Sequence, residues 1–139
     1  MPGHLHTIDS AARMAGAVPA TVRGWIRRAW FRPQQPLRPI SVNATGLLML
    51  RILVAAKWAL RGSPGARPAW QRLARLLQGL QHLQPDRSPE ELRQALIGRA
   101  LVRFRRQRRW LLLSREEVAA RAEQLRHAQR IIRLQDLAA

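Results

Sequence analysis

Arginine is the residue type best placed to do chemistry in this chain. There are 25 Lys+Arg against 8 Asp+Glu in 139 residues, a formal net charge of +17, and Lys57 is the lone lysine. A net charge of that size implies a polyanion as partner, with nucleic acid first and an acidic membrane face second; guanidinium forks suit phosphate and guanine, but a GC-rich genome gives the same arginine bias. The charge is uneven. Residues 1–85 hold twelve Lys/Arg and one acid, Asp9, whereas residues 86–139 hold thirteen Arg and seven acids. The front of the molecule is therefore the stronger polyanion binder by composition. Behind it, the run RFRRQRR places Arg103, Arg105, Arg106, Arg108 and Arg109 within seven residues. That run reads as a second DNA-phosphate contact, as a solvated face, or as a patch for a partner protein or acidic lipid. Phe104 and Trp110 beside it are expected to anchor the core rather than stack on bases.

The other reactive groups point away from catalysis. Without cysteine, disulfides, thiolate metal sites and thiol redox sensing are excluded. His4 and His6 sit in an N-terminal stretch expected to be loose, and His82 and His127 have no partners in view, so no metal site is expected. Glu90/Glu91 and Glu116/Glu117 look like paired carboxylates, but each pair follows a serine, Ser88 or Ser114, at capping-box spacing. There is no Gly-rich phosphate loop and no nucleophile elbow. An enzyme is not expected, nor a cofactor.

The elements that must position the arginines can be read from caps and periodicity. Thr7 or Asp9 can cap a short helix that stops at Gly16. Pro19 suits a first helical position, and Val22, Trp25 and Ile26 keep a helical stripe to about Ala29. Residues 31–43 contain three prolines and cannot be helical, with a short strand expected over Ile40 to Val42. A helix apolar on two faces runs from Ala44 to Leu60, the turn RGSPGAR follows, and another helix covers 68–83. Trp25, Trp58 and Trp70 all fall on apolar stripes and are expected to pack inside. Ser88 opens a helix to about Gly98. Residues 100–113 are either its continuation or a β-hairpin turning near Gln107, with the two short apolar runs favouring the hairpin. Ser114 opens a final helix to about Leu134, with Val118, Ala122, Leu125 and Ile132 on one stripe.

Taken in order, Thr7-Ile8-Asp9-Ser10-Ala11-Ala12-Arg13-Met14-Ala15-Gly16, Pro19-Ala20-Thr21-Val22-Arg23, Trp25-Ile26-Arg27-Arg28 and Pro33 resemble the N-terminal winged helix-turn-helix of the MerR family of bacterial regulators. The resemblance covers about residues 5–83. It implies that helix 19–29 enters DNA, that Ala20, Thr21, Arg23, Gly24, Arg27 and Arg28 face the duplex, and that Arg32 and Arg38 flank the wing. The chain departs from the family at Val18, where a serine cap is common, at Gly24, where an aromatic is usual, and at Ala29, where a turn glycine is usual. Small chains of this kind serve as antitoxins or as phage and plasmid regulators.

The expected fold is mostly α: an N-terminal winged helix-turn-helix over 1–83, then a helical dimerisation or interaction segment over 84–139 with room for one β-hairpin. The expected function is a dimeric, sequence-specific regulator of double-stranded DNA, its dimer made through Val118, Ala122, Leu125 and Ile132. Two alternatives stay open. One is an architectural protein that binds any duplex; the other is an antitoxin-like protein whose C-terminal half holds a protein partner. No signal-peptide pattern or membrane-length apolar run is present, so a cytoplasmic, nucleoid-associated protein with no membrane partner is expected.

Overall fold

The first two helices are cut to length by their end residues. The structure, a computed structural model, describes residues 5–33 and 40–139. Helix α1 (Ile8–Ala15) starts at Thr7, whose hydroxyl accepts the Ser10 N–H at 3.1 Å. It stops at Gly16, held left-handed at φ 83°, where the Gly16 and Ala17 N–H groups reach back to Arg13 and Ala12 carbonyls at 3.1 and 2.8 Å. That pair of bonds is a Schellman closure. Helix α2 (Pro19–Arg27) has Pro19 in its first turn and no side-chain cap, because Val18 offers none. It closes by the same motif, with Ala29 N–H to Ile26 at 3.0 Å and Trp30 N–H to Trp25 at 2.8 Å. Here the left-handed position is Ala29, at φ 59°, so an alanine stands where only glycine is free of the Cβ clash.

Between α2 and the next helix the described chain re-enters at Ile40. Strand β2 (Ser41–Val42) pairs antiparallel with β1 (His6–Thr7), so the expected short strand finds its partner in the residues preceding α1. Asn43 accepts the Gly46 N–H and opens α3 (Ala44–Ala59), and α4 (Ala66–Leu83) follows after the glycine turn. Residues 45–50, Ile52, Leu53 and Ala56 of α3 are all buried. Its neighbours are α1, α4, β2, α5 (Pro89–Leu96) and α8 (Leu134–Leu137). Both serine capping boxes form, Ser88 with Glu91 at α5 and Ser114 with Glu117 at α6 (Arg115–Ala120).

Residues 100–113 form the hairpin: β3 (Ala100–Phe104) pairs antiparallel with β4 (Leu111–Leu113). The remainder departs from expectation. No helix runs from Ser114 to Leu134. After α6 and a single turn, α7 (Ala122–Leu125), the chain becomes β5 (Ala128–Arg133), which lies antiparallel on the other side of β3 and completes a sheet of order β4-β3-β5. Ile131 and Ile132 sit opposite Val102 and Leu101. The second edge of β3 would otherwise leave a row of unpaired peptide groups, and β-branched side chains suit a pleated surface better than a helix.

The sheet divides the interior. Leu101 of β3 joins the main apolar cluster, which extends from Ile8 to Ala138, while Ala100, Val102 and Leu113 form a second cluster on the opposite face, as the two-residue period of a strand requires. The main cluster therefore continues through the boundary expected near residue 83. The architecture is mostly helical with two small antiparallel sheets. Among the described residues no helix is long and apolar enough to cross a membrane.

Two measurements check these local rules. Ala29→Gly relieves the left-handed strain, and chemical denaturation should show about 0.5–1 kcal/mol of added stability after the extra unfolded-state entropy of glycine is subtracted. Glu91 is held below the ordinary value of 4.5 chiefly by the Gln84 side chain and then by Ser88. Glu117 is lowered chiefly by the Ser114 N–H and then by its hydroxyl. A depressed folded value means the stabilisation is complete above 4.5 and is lost as pH falls through the folded values. The double variant Glu91→Gln, Glu117→Gln keeps the caps without the titration, so its stability should fall less than wild type between neutral pH and pH below 4.5.

Candidate nucleic-acid interface

Helix α2 is docked by one side and bare on the other. Val22 and Trp25 are buried and Ile26 is half-buried against the core. Advancing 100° per residue, the opposite side is centred on Ala20, Gly24 and Arg27, with Arg23 on one flank and Thr21 and Arg28 on the other. Ala20, Arg23, Arg27 and Arg28 are exposed. Gly24 is buried because the Arg27 and Arg28 guanidinium groups lie over it: a Cβ there would meet them at 3.8 and 3.7 Å, ordinary contact. Nothing in the packing therefore demands glycine at this position.

Each flank has its own environment. The Arg23 guanidinium is ion-paired with the Asp9 carboxylate of α1, both side chains about half exposed. A residue expected to read bases thus has an intramolecular partner to leave first. Thr21 turns toward α3, where it lines a groove with Trp25, Lys57 and Trp58. Arg32 is exposed beyond α2. Arg38 lies outside the described residues.

The arginine run is split by the hairpin. Arg105, Arg106, Arg108 and Arg109 are exposed at the β3–β4 turn. Arg103 is half-buried, donating to Ser63 Oγ at 3.1 Å and to the Gln107 carbonyl at 3.5 Å. Trp110 is only 1% exposed, its indole N–H also on Ser63 Oγ at 3.1 Å. The hairpin turn thereby leans on the α3–α4 turn. Gly65 there has φ 75°, and a Cβ on it would meet the Arg108 carbonyl at 2.8 Å, so this contact needs glycine twice over.

Four cations that the sequence did not single out for binding link these parts. Arg61 lines a groove with Arg28, Lys57 and Arg67 at one end of the α3–α4 pair. It also lines a polar cleft of about 340 Å³ with Ser63, Arg103 and Arg130. Arg103 and Arg130 are directly opposite each other on β3 and β5, a like-charge pairing that costs free energy unless water or an anion lies between. Arg61 is thus shared between two clefts, one reaching Arg28 of α2 with Lys57 and Arg67, the other reaching Arg103 and Arg130 of the sheet. Asp9 is the lone acid of residues 1–85 and faces Arg23. The available clue was the pair Lys57 and Arg61, one turn apart at the end of an apolar helix. Arg130 had been hidden inside a helix that does not form.

Two expectations need correction. Trp58 is not a packing residue: it is 63% exposed, with the Arg61 guanidinium 5.1 Å from its ring centroid. Val118, Ala122, Leu125 and Ile132 do not form a helical dimerisation stripe. Val118 and Leu125 pack half-buried on Ala100, Val102 and Leu113 of the chain's own sheet, Ile132 is 9% exposed within the main core, and Ala122 alone of the four is exposed. No protein-family model matches the chain, and no curated protein or solved structure matches it either.

Proposed function

We propose that the chain binds double-stranded DNA as a sequence-reading regulator, with α1 and α2 acting as a helix-turn-helix, α2 in the major groove, and the α3–α4 and β3–β4 turns on flanking phosphates. One observation carries this reading: the cations gathered around Arg61, which lines one groove with Arg28 of α2 and another cleft with Arg103 and Arg130 of the sheet. A rigid helix with an apolar docking stripe and cationic outer positions is the form in which such heads present side chains to base edges. Arg23 and Arg27 are the base-reading candidates, since a bidentate Arg–guanine pair discriminates by about 1–3 kcal/mol. The Asp9 partner of Arg23 tunes it: on non-cognate DNA the ion pair can persist, and only a matching guanine repays its loss.

Competition binding tests the reading. A specific site selected from random DNA should win over bulk DNA by about a thousandfold or more, whereas an architectural binder would show no preference. Arg23→Ala should weaken the selected site far more than bulk DNA; equal losses would remove Arg23 from base reading. The double variant Arg105→Gln, Arg108→Gln should leave the preference intact while the slope of log affinity against log salt flattens by about 2. Asp9→Asn frees Arg23 and should tighten binding, a gain that must vanish in the Arg23→Ala background.

A further inference from the structure

Where Arg28 flanks the outward side of α2, the end of that helix and the α3–α4 pair enclose a groove of about 360 Å³. Its walls are aromatic. Trp25 and Trp70 meet with ring centroids 5.0 Å apart at 48°, and Trp30 stands edge-on to Trp70 at 6.3 Å. The Trp70 indole N–H is fixed on the Leu53 carbonyl at 2.8 Å, so the ring is oriented before any ligand arrives. The rim is cationic: Arg28, Lys57, Arg61 and Arg67 all line the groove, with Lys57 Nζ 5.9 Å from the Trp25 centroid. No carboxylate lines it, and among the described residues none of these four is ion-paired.

Four like charges around low-dielectric walls repel one another and favour an incoming anion. A phosphate or carboxylate alone would leave the uncovered parts of the half-buried Trp30 and Trp70 in water, Trp25 being already covered at 6% exposure. A neutral aromatic would leave the cations uncompensated. The volume lies within the range of small-ligand pockets, which combine mostly apolar walls with a few placed polar groups. We infer that this groove is a binding site for a small planar aromatic anion, its ring system against Trp30 and Trp70 and its charge toward Lys57 and Arg61. The site stands whether or not α2 meets DNA, because none of its argument uses the duplex.

Isothermal titration calorimetry of the full chain with 2-naphthoate tests it, with inorganic phosphate and neutral 2-naphthalenemethanol as comparison titrants. Saturable 2-naphthoate binding about tenfold or more tighter than either comparison titrant is expected. The exposed-side-chain variant Lys57→Gln, Arg61→Gln should weaken it by about tenfold, and the hairpin variant Arg105→Gln, Arg108→Gln, with the same charge change, should leave it within about twofold. Arg67→Gln, at a groove cation outside that pair, gives an independent weakening. Phosphate binding as tightly as 2-naphthoate would reduce the groove to a simple anion site and overturn the inference. So would equal losses in the groove and hairpin variants, or no saturable binding.

Discussion

The structure depends on enclosing α3. A helix with Leu47, Leu48, Met49, Leu50, Ile52 and Leu53 around its circumference must be covered on nearly every side, with Arg51 the exposed residue among them. Each such side chain contributes about 1.5–3 kcal/mol when fully removed from water. The remaining elements are therefore recruited as cover: α1, α4, α5, α8 and β2 each lie against it. Two polar groups caught in that enclosure find partners across it, the Thr45 hydroxyl donating to the Arg87 carbonyl at 2.6 Å and the Trp70 indole N–H to the Leu53 carbonyl at 2.8 Å. Apart from Ala44 and Arg51, what emerges from α3 is its last turn, with Lys57 and Trp58 exposed there and Arg61 exposed just beyond it. The basic surface is positioned by the burial of the helix that precedes it.

Charge is then arranged against that frame. A chain at +17 repels itself, and the fold spends few of its acids on the front face. Glu91 and Glu117 close capping boxes, Asp9 holds Arg23, and Glu90 and Glu123 pair with arginines on their own helices. Several cations lie instead over aromatic rings: Lys57 on Trp25, Arg61 on Trp58, Arg75 on Trp30 and Arg130 on Trp110. Such contacts order a guanidinium without neutralising it. The surface keeps its positive field while its side chains are held in place, a condition suited to recognising an anion with small entropic loss on binding.

The C-terminal half is tied to the same frame. Arg103 and Trp110 share Ser63, the Arg72 guanidinium donates to the Trp110 carbonyl at 3.1 Å, and Arg93 reaches the Ala138 carbonyl at 3.2 Å. The hairpin turn accordingly has a defined place beside the α3–α4 turn. A free arginine tract would spread its charge through solvent; this one adds to the surface begun by α2.

What the residues determined by themselves was local. Thr7, Ser88 and Ser114 mark helix starts because their side chains accept the N–H groups a helix leaves orphaned, and Gly16 marks an end because glycine takes the left-handed position without a Cβ clash. Five helices and the hairpin were legible on such signals, as was the bare, cationic side of α2. Tertiary structure decided the rest. Ala128, Ile131 and Ile132 satisfy a helical period as well as a strand, and only the open edge of β3, distant in sequence, selects the strand. Trp58 lies on an apolar stripe, yet whether a neighbour covers that stripe depends on where α2 and α4 stop. The Arg23–Asp9 pair and the cleft around Arg61, Arg103 and Arg130 likewise join residues far apart in the chain. Caps and periods act within one or two turns and can be read along the sequence; pairing and enclosure act through space, where the same residue pattern admits more than one partner.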